Sequence, residues 1–385
     1  STGGQIMPPI MGAAAFLMAE YIGIPYAQVA VKAILPAILY FTGIFISVHL
    51  EAKKLGLNGI PRDQLPKWRL LARDCYLILP LILLVWLVSS GAKTMSHSAA
   101  YSILAAIAVG LVNFFMLRLQ SAQTRTFRTV GKAALGAAGD SANSVFDSLE
   151  AGAKGAITVA VACAMAGIIA GCITVTGLAS ILINAVVQLA GNATFIGLIL
   201  TMICCIILGM GVPTTANYII MASTCAPILI NGMGMHILAA NMFVFYFGIV
   251  ADITPPVALA AYAGAAIAKA PPMKTALNAT RLAIAAFIIP YIFAYNNAMI
   301  FVGDVTFLGV TSIVISATLG MASIASGFMG YLIHDLKWYS RIALIAGGLL
   351  MVIPGTVTDL AGLAILIVIL LIQRAENKKE KKAAV

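Results

Sequence analysis

The stretch V-A-D-I-T-P-P-V-A-L-A-A-Y-A, residues 250–263, is a near repeat of G-G-Q-I-M-P-P-I-M-G-A-A-A-F, residues 3–16. When the two Pro-Pro pairs are aligned, Met7 falls on Thr254. Proline lacks a backbone N–H group, and the second proline of each pair biases the first away from helical geometry. Each copy therefore predicts a helix that unwinds at its Pro-Pro pair and leaves carbonyl oxygens without helical partners.

The composition is that of a protein embedded in a membrane. Of 385 residues, 62% are hydrophobic and only 9% are charged, whereas a soluble domain has about 25% charged residues. No stretch alternates apolar and polar residues as a lipid-facing β-barrel strand does, so helices must satisfy the backbone. The sequence predicts an all-α polytopic membrane protein, with spans at Val29–Leu50, Cys75–Ala92, Ser98–Leu117, Ala156–Ile173, Leu282–Val302 and Phe307–Ile333.

The net charge of +10 indicates orientation in the membrane rather than a nucleic-acid partner. Most of the 23 Lys and Arg residues lie between apolar runs, as the positive-inside rule expects of cytoplasmic loops. We therefore expect a cytoplasmic C-terminus and cytoplasmic patches at Lys53–Arg73, Arg118–Lys154, Lys269–Arg281, Lys337 with Arg341, and Arg374–Lys382.

The distribution of basic residues also predicts that the two Pro-Pro helices cross the membrane in opposite directions. The helix after the second copy runs to the basic segment Lys269–Arg281, which is expected inside. The helix after the first copy ends at Glu20–Pro25, which holds no base, and Val29–Leu50 then descends to the basic patch Lys53–Arg73. Two broken helices of opposite direction are typical of inverted-topology repeats, whose ion and substrate sites lie at the discontinuities near the membrane midplane.

A second irregular feature lies between Gly177 and Gly234, where no single clean span occurs. Two apolar pieces, Thr194–Leu208 and Asn217–Ile230, flank the segment G-M-G-V-P-T-T-A-N at residues 209–217. Gly, Pro and paired Thr break helices or supply polar groups. The pattern predicts a re-entrant hairpin with its tip at membrane depth, covered by protein or by a wet cavity.

Two further regions have weaker patterns. Residues Phe127–Glu150 mix Gly, Ala and charges with spaced apolar residues, which favours an amphipathic helix on the inner surface. After Phe307–Ile333, two short apolar pieces favour a hairpin that turns at Pro354–Asp359, because a basic C-terminal tail must return to the cytoplasm.

These patterns divide the chain into four parts. They are the end of a first repeat at residues 1–50, a cytoplasmic loop with two spans and a surface helix at 51–155, a second repeat at 156–302, and a C-terminal membrane extension with a basic tail at 303–385.

The sequence resembles the large membrane subunit of tripartite ATP-independent periplasmic (TRAP) transporters, of the type in which small and large subunits are fused. The resemblance covers about residues 1–300 and rests on both Pro-Pro motifs, on L-G-M-G-V-P-T-T-A-N-Y at 208–218, and on V-H-L-E-A-K-K-L-G-L at 48–57. It implies an elevator-type importer of the bacterial inner membrane, driven by sodium, that takes small carboxylates from a periplasmic binding protein. It also implies an upstream part, not in this sequence, with the first hairpin and the small-subunit helices.

The resemblance further implies where sodium binds, namely between a hairpin tip and the unwound helix of each repeat. Met7 lacks the hydroxyl group of Thr254, so the first-repeat site would rely on backbone oxygens or on the upstream hairpin. The residues implied in the second repeat are Gly209, Gly211, Ala251, Thr254 and Val257, and those in the first repeat are Gly4, Met7 and Ile10.

Four polar residues are candidates for the substrate site. Asp252 is the only acid between Glu150 and Asp304. A carboxylate at membrane depth is costly, so a role in function is the default hypothesis for it. The alternative is a structural role, in which the carboxylate accepts hydrogen bonds from free backbone N–H groups. Thr214, Thr215 and Asn217 either line the cavity or cap the second helix of the hairpin. The segment offers oxygen ligands without Cys or His, which suits sodium better than a transition metal.

Two other classes of protein compete with a carrier. An intramembrane enzyme is disfavoured, because the sequence has no paired acids at helical spacing, no HExxH pattern and no G-x-S-x-G elbow. A channel or a structural subunit that works without a binding protein stays open, since channels can also contain broken helices.

Overall fold

A computed structural model describes residues 2–383 except 10, 58, 62–63, 66–67, 69–71, 73, 91–93, 122–126, 192, 304 and 354. The described residues form mainly α-helices and contain no β-strand. The helices are α1 (Thr2–Ile6), α2 (Gly12–Ile22), α3 (Tyr26–Lys54), α4 (Leu79–Ser89), α5 (Met95–Ser121), α6 (Phe127–Thr176), α7 (Leu178–Ala190), α8 (Thr194–Gly209), α9 (Thr214–Thr224), α10 (Ile237–Val250), α11 (Leu259–Ala268), α12 (Pro272–Leu282), α13 (Ile284–Tyr295), α14 (Phe307–Met329), α15 (Trp338–Leu350) and α16 (Thr356–Ala383).

The expected fold class is confirmed. Within the described residues, six helical segments are long and apolar enough to cross a membrane. They are Tyr26–Lys54, Ser96–Arg118, Gly136–Thr176, Pro272–Tyr295, Phe307–Met329 and Thr356–Glu376. The chain is therefore an all-α polytopic membrane protein.

The chain divides into two compact units. Unit 1 comprises residues 1–24, 28–58 and 162–385, and unit 2 comprises residues 25–27 and 59–161. In unit 2, the Tyr76 hydroxyl donates a hydrogen bond to Asn113 Oδ1 at 2.8 Å, and Arg118 pairs with Asp140 at 2.7 Å. Both Pro-Pro motifs, the hairpin α8–α9 and the C-terminal helices belong to unit 1.

The two Pro-Pro motifs share three features of backbone conformation. Both Pro-Pro peptide bonds are cis, and the second residue after each pair, Met11 or Ala258, has a positive φ of 44° or 35°. In each copy this residue donates its N–H to the carbonyl of the aligned residue four positions back, Met7 at 3.3 Å or Thr254 at 3.2 Å. A new helix, α2 or α11, begins directly afterwards. The sequence repeat is thus a structural repeat, and both helices are interrupted as predicted.

The helices that follow the motifs also match. Pro36 lies inside α3. When the two Pro-Pro pairs are aligned, Pro36 falls on Ala283, a non-helical residue that separates α12 from α13. The second-repeat span therefore begins at Pro272 rather than at Leu282, and most of the segment Lys269–Arg281 is helical rather than a loop. The Pro at the first position of α12 already has the φ angle that a helix needs.

A second boundary prediction was also wrong. The expected surface helix at Phe127–Glu150 and the expected span at Ala156–Ile173 are parts of one continuous helix, α6, of 50 residues. The glycines between them do not end the helix, because Ala-rich flanks propagate it and no proline intervenes.

The C-terminal extension is a helical hairpin that packs on α14 through small residues. The chain turns between Leu350 and Thr356, slightly before the expected turn, so that Asp359 lies in the first turn of α16. A Cβ atom added to Gly348 would lie 2.6 Å from the Gly320 carbonyl oxygen, and one added to Gly362 would clash with α15. Close backbone approach through glycine is the usual packing of helices in lipid.

Candidate functional site

The tip of the α8–α9 hairpin lies against the second interrupted helix. Gly209 ends α8 and is buried, and a Cβ atom there would lie 2.7 Å from Asn217 Nδ2 and 3.0 Å from Ala251 Cβ. Gly211, with a φ of 77°, would place a Cβ atom 3.7 Å from Val257 Cγ1. The structure therefore brings together four of the residues expected around the second-repeat sodium site.

Asn217 ties the hairpin to α10. Its side chain is fully buried, and Nδ2 donates to the Gly248 carbonyl at 3.0 Å and lies 3.5 Å from the Gly209 carbonyl oxygen. Its Oδ1 atom is buried and has no hydrogen-bond partner among the described residues. A buried acceptor without a donor costs free energy, so this oxygen is a candidate ligand for a small cation.

The backbone of the interruption is partly satisfied by neighbouring hydroxyl groups. The hydroxyl groups of Thr280 and Tyr262 donate to the carbonyls of Ile253 and Pro256, at 3.0 and 2.6 Å. Sequence reasoning missed both hydroxyl groups, because their partner carbonyls are identified only by the folded backbone. Among the hydrogen bonds of the described residues, none uses the remaining carbonyls of the segment, those of Asp252, Pro255 and Val257.

Thr254 is the hydroxyl-bearing residue at the centre of the interruption. Its Oγ1 atom donates to the Val250 carbonyl at 2.8 Å, and its N–H donates to the Ala251 carbonyl at 3.3 Å. A hydroxyl oxygen that donates its only proton keeps its lone pairs, so Thr254 Oγ1 can still ligate a cation.

The polar residues expected around the substrate are only partly brought together. The Thr214 hydroxyl interacts with the Asp252 carboxyl group, so the hairpin tip and the interrupted helix meet at these two side chains. Thr215 is half-buried in the first turn of α9. The capping alternative is wrong for this helix, because Pro213 occupies the N-cap position and no side chain caps it.

The first-repeat residues have a more open environment. Gly4 and Met7 are exposed, and a Cβ atom on Gly4 would have no neighbour within 4 Å. Ile10 lies outside the described residues. Within the described residues no hairpin tip covers this motif as Gly209 and Gly211 cover the second one.

Cavities occur away from the hairpin tip. Five cavities of about 350 to 680 Å³ lie elsewhere in the described part of the chain, and none of the five is lined by Thr214, Thr215, Asn217 or Asp252. At Gly209 and Gly211 the tip itself packs directly on the interrupted helix.

Interrupted helices that repeat within one chain, with a hairpin tip packed on one of them, are typical of membrane transport proteins. A family model described as "Tripartite ATP-independent periplasmic transporter, DctM component" matches residues 1–308, and the chain belongs to this family. No curated protein matches the chain.

Membership of the DctM family confirms the resemblance to the large membrane subunit of TRAP transporters. The chain is therefore a multi-pass permease component of the inner membrane, in a family of transporters rather than of enzymes. Transporters of this family in general associate with a substrate-binding protein and a small membrane subunit. Residues 309–385, with most of α14 and the C-terminal hairpin, lie beyond the matched region.

Proposed function

We propose that this chain is the permease part of a sodium-driven importer, which takes small organic acids from a periplasmic binding protein and releases them into the cytoplasm by alternating access. Sodium is a transported ion in this proposal and not a resident cofactor. The small membrane subunit is proposed to be fused upstream.

The observation that carries the proposal is the contact between the hairpin tip and the interrupted helix. Oxygen atoms of uncharged groups surround this contact, namely Asn217 Oδ1, Thr254 Oγ1 and the carbonyls of Asp252 and Val257. A hard cation such as sodium prefers oxygen ligands of this kind. The small residues Gly209, Gly211 and Ala251 let the two backbones approach closely, which supports an ion shared between them.

The proposed substrate site adjoins the ion site. Thr214 and Asp252 face each other, and Thr215 lies beside Thr214 in the first turn of α9. The N–H groups at the start of α9 are not satisfied by a side-chain cap, and a helix N-terminus favours a bound carboxylate. Gly4, Met7 and Ile10 would serve a second ion once an upstream hairpin covers them.

Uptake by the full-length protein tests the proposal. The protein is reconstituted into liposomes with its cognate binding protein, and uptake is measured over a panel of small carboxylates under an inward sodium gradient. We expect saturable uptake that disappears when the gradient is potassium at equal ionic strength. Uptake that is independent of sodium would refute the coupling, and a flux that does not saturate would favour a channel.

A further inference from the structure

The C-terminal hairpin encloses a polar cavity that the transport site does not use. The cavity, of about 510 Å³, lies between the end of α13, the N-terminal half of α14 and the tip of the α15–α16 hairpin. Its polar lining residues are Asn296, Thr306, Ser312, Ser316, Thr356 and Asp359.

The cavity lies at membrane depth. Ser316 is about 14 Å along α14 from its first residue, Phe307, at the rise of an α-helix. The hairpin tip therefore lies beside the middle of a spanning helix. Asp359 also borders a second, mostly apolar cavity lined by Leu308, Leu319 and Leu363. A carboxyl group in such surroundings requires a partner.

Between α14 and the hairpin tip, one hydroxyl group lies within hydrogen-bond distance of two acceptor oxygen atoms. Ser316 Oγ lies 2.6 Å from Asp359 Oδ1 and 3.1 Å from the Met351 carbonyl oxygen. A serine hydroxyl has one proton, so it can donate to only one of these two acceptors. The other acceptor then lacks a donor, and the described lining residues include no Lys, Arg or His that could supply one.

Asp359 lies in the first turn of α16, where the helix dipole stabilises negative charge. A positive ion placed between the carboxylate, the Ser316 hydroxyl and the Met351 carbonyl would neutralise the charge and satisfy all three oxygen atoms.

We propose that this cavity binds a small monovalent cation, ligated by Asp359, Ser316 and the Met351 carbonyl. One carboxylate among neutral oxygen atoms suits a single charge better than a divalent ion. The described residues hold no group of three or more His, Cys, Asp or Glu side chains that would fit a transition metal. The volume admits an alkali ion with its waters or a small organic ammonium group. This site goes beyond the proposed function, since it lies outside the family-matched region and does not depend on the hairpin α8–α9.

Protection of an introduced cysteine tests the site. Ser312 is exposed and lines the cavity, so Ser312→Cys in the full-length protein reports access to it. The labelling rate at residue 312 is measured by peptide mass spectrometry in sodium, potassium, ethanolamine or choline chloride, with N-methylglucamine as the reference cation. When the concentration of a cation is ten times its dissociation constant, about a tenth of the sites stay unoccupied, so the labelling rate should fall about tenfold. Protection by the metal ions alone, or by ethanolamine or choline alone, identifies the source of the cation.

Three variants in the Ser312→Cys background decide the ligands. Asp359→Asn should abolish protection, whereas Asp335→Asn, which removes an exposed acid from the same region, should retain it. Ser316→Ala should weaken protection. If Asp359→Asn does not give a monodisperse protein, the result for Ser316→Ala decides whether the site exists. Equal labelling rates in all cations, or protection that survives Asp359→Asn, would overturn the proposal. Adding Thr254→Val should leave the protection intact, so that failure of sodium-driven uptake and failure of this site are separable.

Discussion

At the scale of single residues, the two copies of the motif differ mainly in charge. Gln5 aligns with Asp252, so each interruption presents a polar side-chain oxygen at the same place, but only the second is acidic. Gln5 Oε1 is buried and has no partner among the described residues, whereas Asp252 interacts with Thr214 of the hairpin tip. The negative charge is thus a property of the second copy alone, and the first copy adopts its interruption without it.

The charge of Asp252 is expected to serve transport rather than folding. Asp252→Asn keeps the size of the side chain and its contact with Thr214, while removing the carboxylate at membrane depth. We expect initial uptake to fall at least about tenfold, a loss of about 1.4 kcal/mol of transition-state stabilisation, with unchanged membrane insertion. Uptake into proteoliposomes and size-exclusion profiles measure the two effects. Asp335→Asn is the matched control, and full activity of Asp252→Asn would assign Asp252 a structural role.

The hydroxyl group of Thr254 is expected to contribute to sodium binding. Thr254→Val keeps the shape of the side chain but removes the oxygen that donates to the Val250 carbonyl at 2.8 Å. We expect the sodium concentration for half-maximal uptake to rise about tenfold, which corresponds to about 1.4 kcal/mol. Thr275→Val removes a comparable hydroxyl, one that donates to the Pro271 carbonyl four residues back rather than to the interrupted helix, and should leave sodium dependence unchanged. If Thr254→Val and Thr275→Val showed the same sodium dependence, Thr254 would not be a ligand of the site.

At the scale of elements, the contact between hairpin and interrupted helix depends on the absence of side chains. A Cβ atom added to Gly209 would lie within 3.0 Å of atoms in Asn217, Met221 and Ala251. Asn217 and Met221 belong to α9, and Ala251 belongs to the interrupted helix. A methyl group at this position would push the tip away from the interrupted helix, because packed interiors have no space for it.

Gly209→Ala is therefore expected to weaken sodium binding and to destabilise the closed hairpin by about 1–3 kcal/mol, as overpacking usually does. Gly264→Ala is the control, since Gly264 lies in α11 and an added Cβ has no neighbour within 4 Å. Thermal unfolding with and without sodium compares the two variants. Normal sodium stabilisation of Gly209→Ala would show that the tip and the interrupted helix do not share an ion.

The sequence predicted the existence of most elements but not all of their limits or contacts. Proline pairs, the Gly-Met-Gly tip and long apolar runs have local physical causes, and the interruptions and the hairpin follow from them. The continuity of α6 did not follow, because Gly and charged residues weaken a helix without ending it. The hydrogen bonds from Thr280 to Ile253 and from Asn217 to Gly248 join residues distant in sequence, so no local pattern indicates them.

At the scale of the whole molecule, α14 connects the transport repeats to the C-terminal extension. Its last carbonyls accept hydrogen bonds from three cations, since Lys54 donates to Met329, Arg281 donates to Phe328, and Arg341 donates to Gly327. The three cations come from the end of α3, the end of α12 and the start of α15. Cations at a helix C-terminus are favoured by the helix dipole. Their convergence places the end of α3, the end of α12 and the start of α15 together at the C-terminal end of α14.

Sidedness of labelling tests the inverted arrangement of the two repeats. Single cysteines at Glu20 and Lys274, both exposed, report the segments that follow the first and the second Pro-Pro helix, and a cysteine at Arg374 reports the C-terminal tail. The positive-inside rule predicts that a membrane-impermeant maleimide labels position 20 only in spheroplasts, and positions 274 and 374 only in inside-out vesicles. Peptide mass spectrometry separates these sites from the exposed native thiols Cys75 and Cys172. Labelling of positions 20 and 274 from the same side would mean that the two repeats run in parallel. The two interruptions would then lack the opposite orientation that alternating access between inverted repeats requires.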